Sequence, residues 1–181
     1  MPLEPVQLVG GTGSPYTQKM VALLRYRRIP YAITWGQPET RCEALGVEAP
    51  TPTFMPTFFF EEGGELTAHC DSTPIIRRLE ADHVGRSVLP EDPALAFIDY
   101  LIEDFSDEWC TKYMFHYRWH YQDDIITAGK ILPRWSNNGV SEDKLSELGD
   151  YISKRQISRL YVVAVSYTHL TLPTIGAVLF A

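Results

Sequence analysis

The spacing of apolar residues changes near residue 90, and this change limits the folds that the chain can adopt. Up to that point, short apolar or alternating runs that are typical of strands alternate with helical patterns. From Phe97 onward the apolar residues recur at three- and four-residue steps, as Leu101 and Phe105 do. The 181 residues are therefore predicted to form an α/β domain followed by an all-α domain.

The first 80 or so residues carry the signals of four strands and two helices. Strands are predicted at 6–9, 31–35, 53–60 and 65–68, and helices at about 15–27 and 74–81. Residues 36–52 are predicted to be a loop with one short helix at most. Pro56 lies near the start of the third strand, although proline cannot donate to a sheet. A turn at Met55-Pro56, with a cis bond as one form of it, would remove this conflict.

The second half carries the signals of helices alone. After a linker at 90–93, a long helix is predicted from about 97 to 109, with 117 as an alternative end, and two more at 122–132 and 141–159. From 165 to 181 the sequence departs from this pattern, and Ser166 to Thr174 resembles a translated sequencing adapter. We expect 165–181 to be a non-native tail and the native chain to continue with further helices. A C-terminal membrane anchor is the alternative, although Pro173 and His169 interrupt the apolar run.

The net charge and the N-terminal sequence argue against a nucleic-acid-binding protein and against a secreted one. A net charge of −7 argues against nucleic-acid binding, because contact with phosphates requires a basic surface. The first residues lack the basic segment and apolar run of a secretory signal. We therefore expect a cytoplasmic protein with neither nucleic acid nor membrane as its partner.

The cysteines are few and widely spaced, and the histidines supply at most two metal ligands on one helix face. Cys42, Cys70 and Cys110 have no CxxC spacing, which indicates free thiols in a reducing compartment. Cys70 is expected to be half-buried and Cys110 to pack in the core. His116 and His120 lie four residues apart and could face one metal ion, but no third ligand has a matching spacing. No metal site is predicted.

Three short segments resemble the glutathione transferases that use a serine or a cysteine. These segments are Gly13-Ser14-Pro15-Tyr16-Thr17-Gln18-Lys19, Met55-Pro56 and Asp71-Ser72. The predicted order of strands and helices is also the order found in this family. The resemblance implies a thioredoxin-like glutathione-binding domain over 1–84, then a partial, truncated all-α C-terminal domain over 93–163.

The resemblance implies that Ser14 is the catalytic residue. Its hydroxyl at a helix N-terminus would donate to the sulfur of glutathione, where the helix dipole favours the thiolate. Tyr16 is a further candidate contact with glutathione. Taken alone, Ser14 before Pro15 is more typical of an ordinary helix cap than of a catalytic residue.

The other two segments would bind the peptide part of glutathione. In the family, a cis peptide before the third strand turns the backbone of the preceding residue, here Met55 before Pro56, towards the cysteinyl group. Asp71 would accept from the γ-glutamyl ammonium, and Ser72 would hold the neighbouring carboxylate. Each segment alone has a plain alternative, an edge proline in one case and a helix cap in the other.

The function implied by the resemblance is that of a glutathione transferase or a glutathione-dependent isomerase. Ser14 would stabilise the thiolate of the co-substrate glutathione as it attacks a small electrophile. The alternative is a non-catalytic glutathione-binding or protein-interaction module on the same fold. A homodimer is the usual state in the family.

Overall fold

A computed structural model describes residues 4–135, 137 and 139–163. The chain divides into two compact units. The first runs to Pro90 and includes Trp135 and Asn137; the second comprises Glu91 to Arg134 and continues from Gly139. The predicted tail at 165–181, with its two interpretations, lies outside the described residues. The predicted domain limits, 1–84 and 93–163, stay predictions.

The first unit is a four-stranded sheet with three helices. Its elements are β1 (Val6–Gly10), α1 (Pro15–Arg27), β2 (Tyr31–Trp35), α2 (Pro38–Leu45), β3 (Thr57–Glu62), β4 (Glu65–His69) and α3 (Ser72–Asp82). The strand order is β2-β1-β3-β4. β1 runs parallel to β2 and antiparallel to β3, and β4 is antiparallel to β3. This mixed sheet confirms the predicted thioredoxin-like α/β fold.

The alternation of side chains along β1 and β3 divides the core between the two faces of the sheet. Leu8 pairs with Phe58 in the register of the two strands, and both belong to a buried cluster with residues of α1 and α3. Val9 and Phe59 point to the other face and form a second cluster with Cys42 of α2. The sheet therefore lies between α1 and α3 on one side and α2 on the other.

In the first unit, the starts of β3 and α3 differ from the sequence prediction, and each lies close to a proline. β3 begins at Thr57, directly after Pro56, whereas the pattern predicted a start at 53. α3 begins at Ser72, two residues before the predicted start at Pro74. Pro74 is the third residue of this helix, where its missing N–H would have no intrahelical partner.

The second unit is helical, as predicted. Its elements are α4 (Pro93–Asp104), a π-helical segment (Phe105–Cys110), α5 (Thr111–His120), α6 (Gln122–Ile131), α7 (Glu142–Ile157) and α8 (Leu160–Val163). A 3₁₀ turn (Leu132–Trp135) follows α6, and its last residue belongs to the first unit. Trp119, Ala128 and Leu145 are buried in it. The backbones of α6 and α7 approach closely at Gly129 and Gly149, because a Cβ on Gly149 would lie 2.3 Å from the carbonyl oxygen of Gly129.

The apolar stripe of α4 and the π-helical segment is not buried. None of the residues from Pro93 to Cys110 falls in the buried class. Cys110 is exposed, so the prediction that it packs in the core was wrong. Apolar spacing shows that a helix has an apolar face, but it does not show what covers that face. Among the described residues, no helix is both long enough and apolar enough to cross a membrane.

Candidate functional site

The connection from β1 to α1 presents Ser14 at the N-terminus of the helix. The Ser14 amide donates to the carbonyl of Gly11 at 3.0 Å, which turns the chain after the strand. The Ser14 hydroxyl accepts from the amide of Thr17 at 3.2 Å, and Pro15 follows as the first helical residue. Because the hydroxyl oxygen accepts in this cap, its proton can be donated to another group. The half-buried Ser14 thus places a donor at the positive end of a helix dipole.

An indole ring packs against the residue before Ser14. A Cβ on Gly13 would lie 2.0 Å from the ring of Trp135, so this close approach requires glycine. The half-buried Trp135 belongs to the first unit although it follows α6 in sequence. Sequence reasoning missed Trp135, because a glycine that contacts a residue 122 positions away leaves no local pattern.

The Met55-Pro56 peptide bond is cis, as the family resemblance implied. A second cis bond joins Thr51 to Pro52 in the same loop. Pro56 is buried and Met55 is half-buried, and the hydroxyl of Thr57 donates to the carbonyl of Phe54 at 2.7 Å. The Met55-Pro56 turn therefore leads directly into the start of β3.

Asp71 and Ser72 form the N-terminus of α3. Asp71 has φ 81°, a left-handed conformation that is unfavourable for a residue with a side chain. Its carboxylate accepts from the amide of Thr73 at 3.2 Å and is otherwise exposed. Ser72 is only 6% exposed, and its hydroxyl accepts from the ammonium of Lys19 at 3.0 Å. Backbone strain of this kind is concentrated at functional sites.

The sheet topology brings these three segments to one edge. Val9, at the end of β1, pairs with Thr57, at the start of β3. Phe58 in turn pairs with His69, at the end of β4. The loop to Ser14, the cis turn before β3 and the start of α3 after β4 therefore all lie at this edge of the sheet.

Tyr16 and Cys70 are the remaining candidates near this edge. Tyr16 is the second residue of α1 and is half-buried on the same turn as Ser14. Cys70 is half-buried, as predicted, and its thiol donates to the carbonyl of Pro52 at 3.3 Å. Cys42 of α2 is buried against Val9 and Phe59, and burial, followed by the charge of Glu39, raises the pKa of its thiol. Both factors disfavour the thiolate form of Cys42.

The histidine pair of α5 is adjacent in the second unit. The rings of His116 and His120 stack with centroids 4.6 Å apart. Burial, followed by the neighbouring charge of His120, lowers the pKa of His116 below its ordinary value. Within the part of the chain that the structure describes, no three His, Cys, Asp or Glu side chains are grouped as metal ligands would be.

The sequence of the first unit also matches a known family. Residues 8–87 match the sequence model of the glutathione S-transferase N-terminal domain. Over this range the chain is therefore similar to a glutathione S-transferase N-terminal domain. The matched range includes Ser14, Met55-Pro56 and Asp71-Ser72, the three segments on which the resemblance was based. None of the curated proteins matches the sequence.

Solved glutathione S-transferase structures share the fold of the chain. One is the enzyme of Ceriporiopsis subvermispora in complex with glutathione, with 16% identity and a TM-score of 0.50 over 97% of this chain and 70% of that one. Another is glutathione transferase Omega 1C from Trametes versicolor, with 13% identity and a TM-score of 0.51 over 99% of this chain and 82% of that one. At such identities the likeness concerns the fold: a thioredoxin-like domain followed by helices.

Proposed function

We propose that this protein binds glutathione at the edge of the sheet defined above and activates its thiolate for attack on a small electrophile. The observation that carries the proposal is the convergence of the Ser14 cap, the cis Met55-Pro56 turn and the strained Asp71-Ser72 start of α3. Three elements that are far apart in sequence supply different kinds of polar group there. The match of residues 8–87 to the family model supports the same ligand.

Ser14 would act on the sulfur of glutathione. Its hydroxyl donates to the thiolate, and the positive end of the α1 helix dipole adds favourable potential there. A free thiol has a pKa near 8.5, so stabilising the thiolate increases the reactive fraction at neutral pH. Because Ser14 has no thiol, it cannot form a mixed disulfide with glutathione. The proposed reaction is therefore attack on the electrophile by the bound glutathione thiolate.

The rest of the tripeptide would lie along the loop before β3 and reach α3. The backbone of Met55, turned by the cis bond to Pro56, would pair with the cysteinyl backbone as an added strand does. The exposed carboxylate of Asp71 would accept from the γ-glutamyl ammonium, and Ser72 would donate to the carboxylate beside it. Tyr16, on the first turn of α1, would contact the same ligand.

The first test is replacement of Ser14 by alanine. We expect turnover with an electrophile such as a halogenated nitroaromatic to fall roughly tenfold or more, since a hydrogen bond to a charged group is lost. Glutathione affinity should change far less, and the pKa of the bound thiol, followed by the ultraviolet absorbance of the thiolate, should rise. Ser141→Ala is the control, because Ser141 caps α7 without a side-chain hydrogen bond.

The outcome separates the enzyme from the binding module. An unchanged rate in Ser14→Ala would remove Ser14 from the mechanism. Glutathione binding by the unaltered protein without turnover on a panel of electrophiles would favour the non-catalytic module. Absence of glutathione binding by the folded protein would refute the proposal itself.

A further inference from the structure

Glycines dominate the loop that carries Ser14. Three of the four residues before Ser14 are glycines: Gly10, Gly11 and Gly13. Glycine has more backbone freedom than any other residue, so a segment of this composition has little conformational preference of its own. The position of Ser14 at the edge of the sheet therefore depends on the contacts that the loop makes with other residues.

The start of α1 makes one set of these contacts. A Cβ on Gly10 would lie 2.6 Å from the side chain of Thr17, which is fully buried, so the end of β1 and the first turn of α1 pack closely. The amide of Thr17 also donates to the Ser14 hydroxyl at 3.2 Å. These local contacts orient the hydroxyl relative to its own helix.

The indole ring of Trp135 makes the contact with the other end of the loop. A Cβ on Gly13 would lie 2.0–2.3 Å from three atoms of this ring, so the ring occupies the place of the missing side chain. Packing as close as this transmits small displacements, because the ring and the Gly13 backbone cannot move towards each other. Ser14 is the next residue, and the position of the ring therefore limits the position of Ser14.

From these contacts we propose that Trp135 is a positioning residue for Ser14 and acts through Gly13. Its ring holds the glycine loop in the place from which the Ser14 hydroxyl, oriented by Thr17, reaches the sulfur of glutathione. This inference rests on the proposed function, since it adds a residue to the mechanism at Ser14. Trp135 need not touch the ligand in this role, and a misplacement of about 1 Å can cost about a hundredfold in rate.

The experiment is a double-mutant cycle in the full chain with Gly13→Ala, Trp135→Ala and the two combined. The readouts are kcat and KM for glutathione with a halogenated nitroaromatic, and the pKa of the bound thiol from the ultraviolet absorbance of the thiolate. The φ angle of Gly13 is not positive, so alanine acts there through its methyl group alone. Each single variant should lose about tenfold or more in kcat, with a raised thiol pKa and little change in KM.

The combined variant gives the decisive comparison. Without the indole ring, the space beside Gly13 accepts the new methyl group, so the two substitutions should compensate each other in part. Its loss in kcat should therefore be about tenfold or less, whereas independent effects would multiply to about a hundredfold. If Trp135→Ala does not fold, Trp135→Leu takes its place in the cycle with the same expectation.

Three further variants separate positioning from stability and from contact with the ligand. Trp135→Phe retains a ring beside Gly13 and should keep most of the rate. Trp119→Phe alters a tryptophan that is 2% exposed in the second unit, and should lower the melting temperature without changing the thiol pKa. In the Ser14→Ala protein, Trp135→Ala should lower kcat no further, because the group that it positions is already absent.

The possible failures are distinguishable. If the unaltered protein turns over glutathione and Trp135→Ala leaves kcat and the thiol pKa unchanged, the role of Trp135 is refuted while the proposed function stands. The same conclusion follows if the losses of the cycle simply multiply, or if Trp135→Ala lowers kcat further in the Ser14→Ala protein. If the folded, unaltered protein does not bind glutathione, the proposed function fails and the role of Trp135 fails with it.

Discussion

The first helix of each unit carries an apolar stripe, but only one of the two stripes is buried. α1 has 13 residues, and six of them are buried: Thr17, Met20, Val21, Leu23, Leu24 and Arg27. α4 has 12 residues, and none of them is buried. The two helices also begin in the same way, with a capping side chain followed by proline. Local sequence therefore determined that both are helices, and the neighbouring elements determined what each one buries.

The difference lies in what each helix can pack against. α1 contacts the sheet through the cluster that contains Leu8 and Phe58, and the same cluster includes Leu79 of α3. The buried Arg27 also pairs with Glu80 of α3 at 2.9 Å, which fixes the far end of the helix. For α4 the described residues supply no comparable cover, and Phe97 and Ile102 are each 61% exposed. Stability is thus expected to be unevenly distributed between the units.

The largest expected effect is a difference in stability loss between alanine substitutions of a buried and an exposed phenylalanine. Phe58→Ala removes a side chain that is 0% exposed and should lower the free energy of unfolding by about 3–5 kcal/mol. Phe97→Ala removes one that is 61% exposed and should change it by less than about 0.5 kcal/mol. Urea denaturation of both variants measures the difference.

Equal losses for the two variants would contradict this comparison. They would mean that Phe97 is covered in solution and that the second unit has a larger core than its described residues form. Leu24→Ala and Leu101→Ala make an independent pair in the same two helices, with Leu24 fully buried and Leu101 exposed. A greater loss at Leu101 than at Leu24 would lead to the same conclusion.

The next effect tests the place where the second unit is tightly packed. Gly149→Ala should destabilise the protein by about 1–3 kcal/mol, because the new methyl group would lie 2.3 Å from the backbone oxygen of Gly129. Helix propensity alone predicts the opposite sign, a gain of about 1 kcal/mol. Thermal denaturation decides between the two.

Gly129→Ala is the matched control for this glycine. Its new methyl group would lie 2.9 Å from the Ser153 hydroxyl, a side chain that can rotate away. The cost should therefore be small or be offset by helix propensity. A stabilising Gly149→Ala would show that α6 and α7 separate easily, and that the second unit lacks a firm core even here.

The smallest expected effect is a pH dependence of stability, which should fall in different pH ranges for the two units. Because the pKa of His116 is lowered in the folded protein by burial and by His120, the unfolded chain takes up a proton at higher pH than the folded protein. Stability is then complete above the ordinary pKa of 6.5 and falls as the pH decreases through the lowered pKa. In His116→Gln, the melting temperature should therefore decrease less with falling pH than it does in the unaltered protein.

Glu62, in the first unit, should respond in a different pH range. The hydrogen bond from Arg78 is the main factor that lowers the pKa of the Glu62 carboxyl from its usual 4.5. The stabilisation it gives is present above pH 4.5 and is lost as the pH falls through the lowered pKa. If His116→Gln left the decline between neutral pH and pH 5 unchanged, the assignment of that decline to α5 would be wrong.

The sequence predicted the elements of the first unit well because their signals are local. The Ser14-Pro15 cap, the apolar run of β1 and the hairpin from β3 to β4 each depend on residues close together in the chain. Their arrangement in one sheet, with the Ser14, Met55-Pro56 and Asp71-Ser72 segments at one edge, followed from the family resemblance. That these residues bind glutathione stays a prediction, as do the homodimer and the cytoplasmic location.

The parts that could not be predicted depend on contacts between distant residues. The hydrogen bond from Lys19 to Ser72 joins the interior of α1 to the start of α3, 53 positions later in the sequence. No local pattern around either residue indicates that the other is its partner. The packing of Trp135 on Gly13 is of the same kind. The prediction that Cys110 packs in the core was wrong because the apolar residues of the same helical pattern are themselves exposed.

The uncovered stripe of α4 has a consequence for the colloidal behaviour of the protein. Leu95, Phe97 and Ile98 present apolar surface to water, and a net charge of −7 is what keeps molecules that carry such a surface apart at neutral pH. The sequence pI is about 5.2, so this repulsion disappears on mild acidification. Solubility should therefore pass through a minimum near that pH, with salt at neutral pH acting in the same direction by screening the charge.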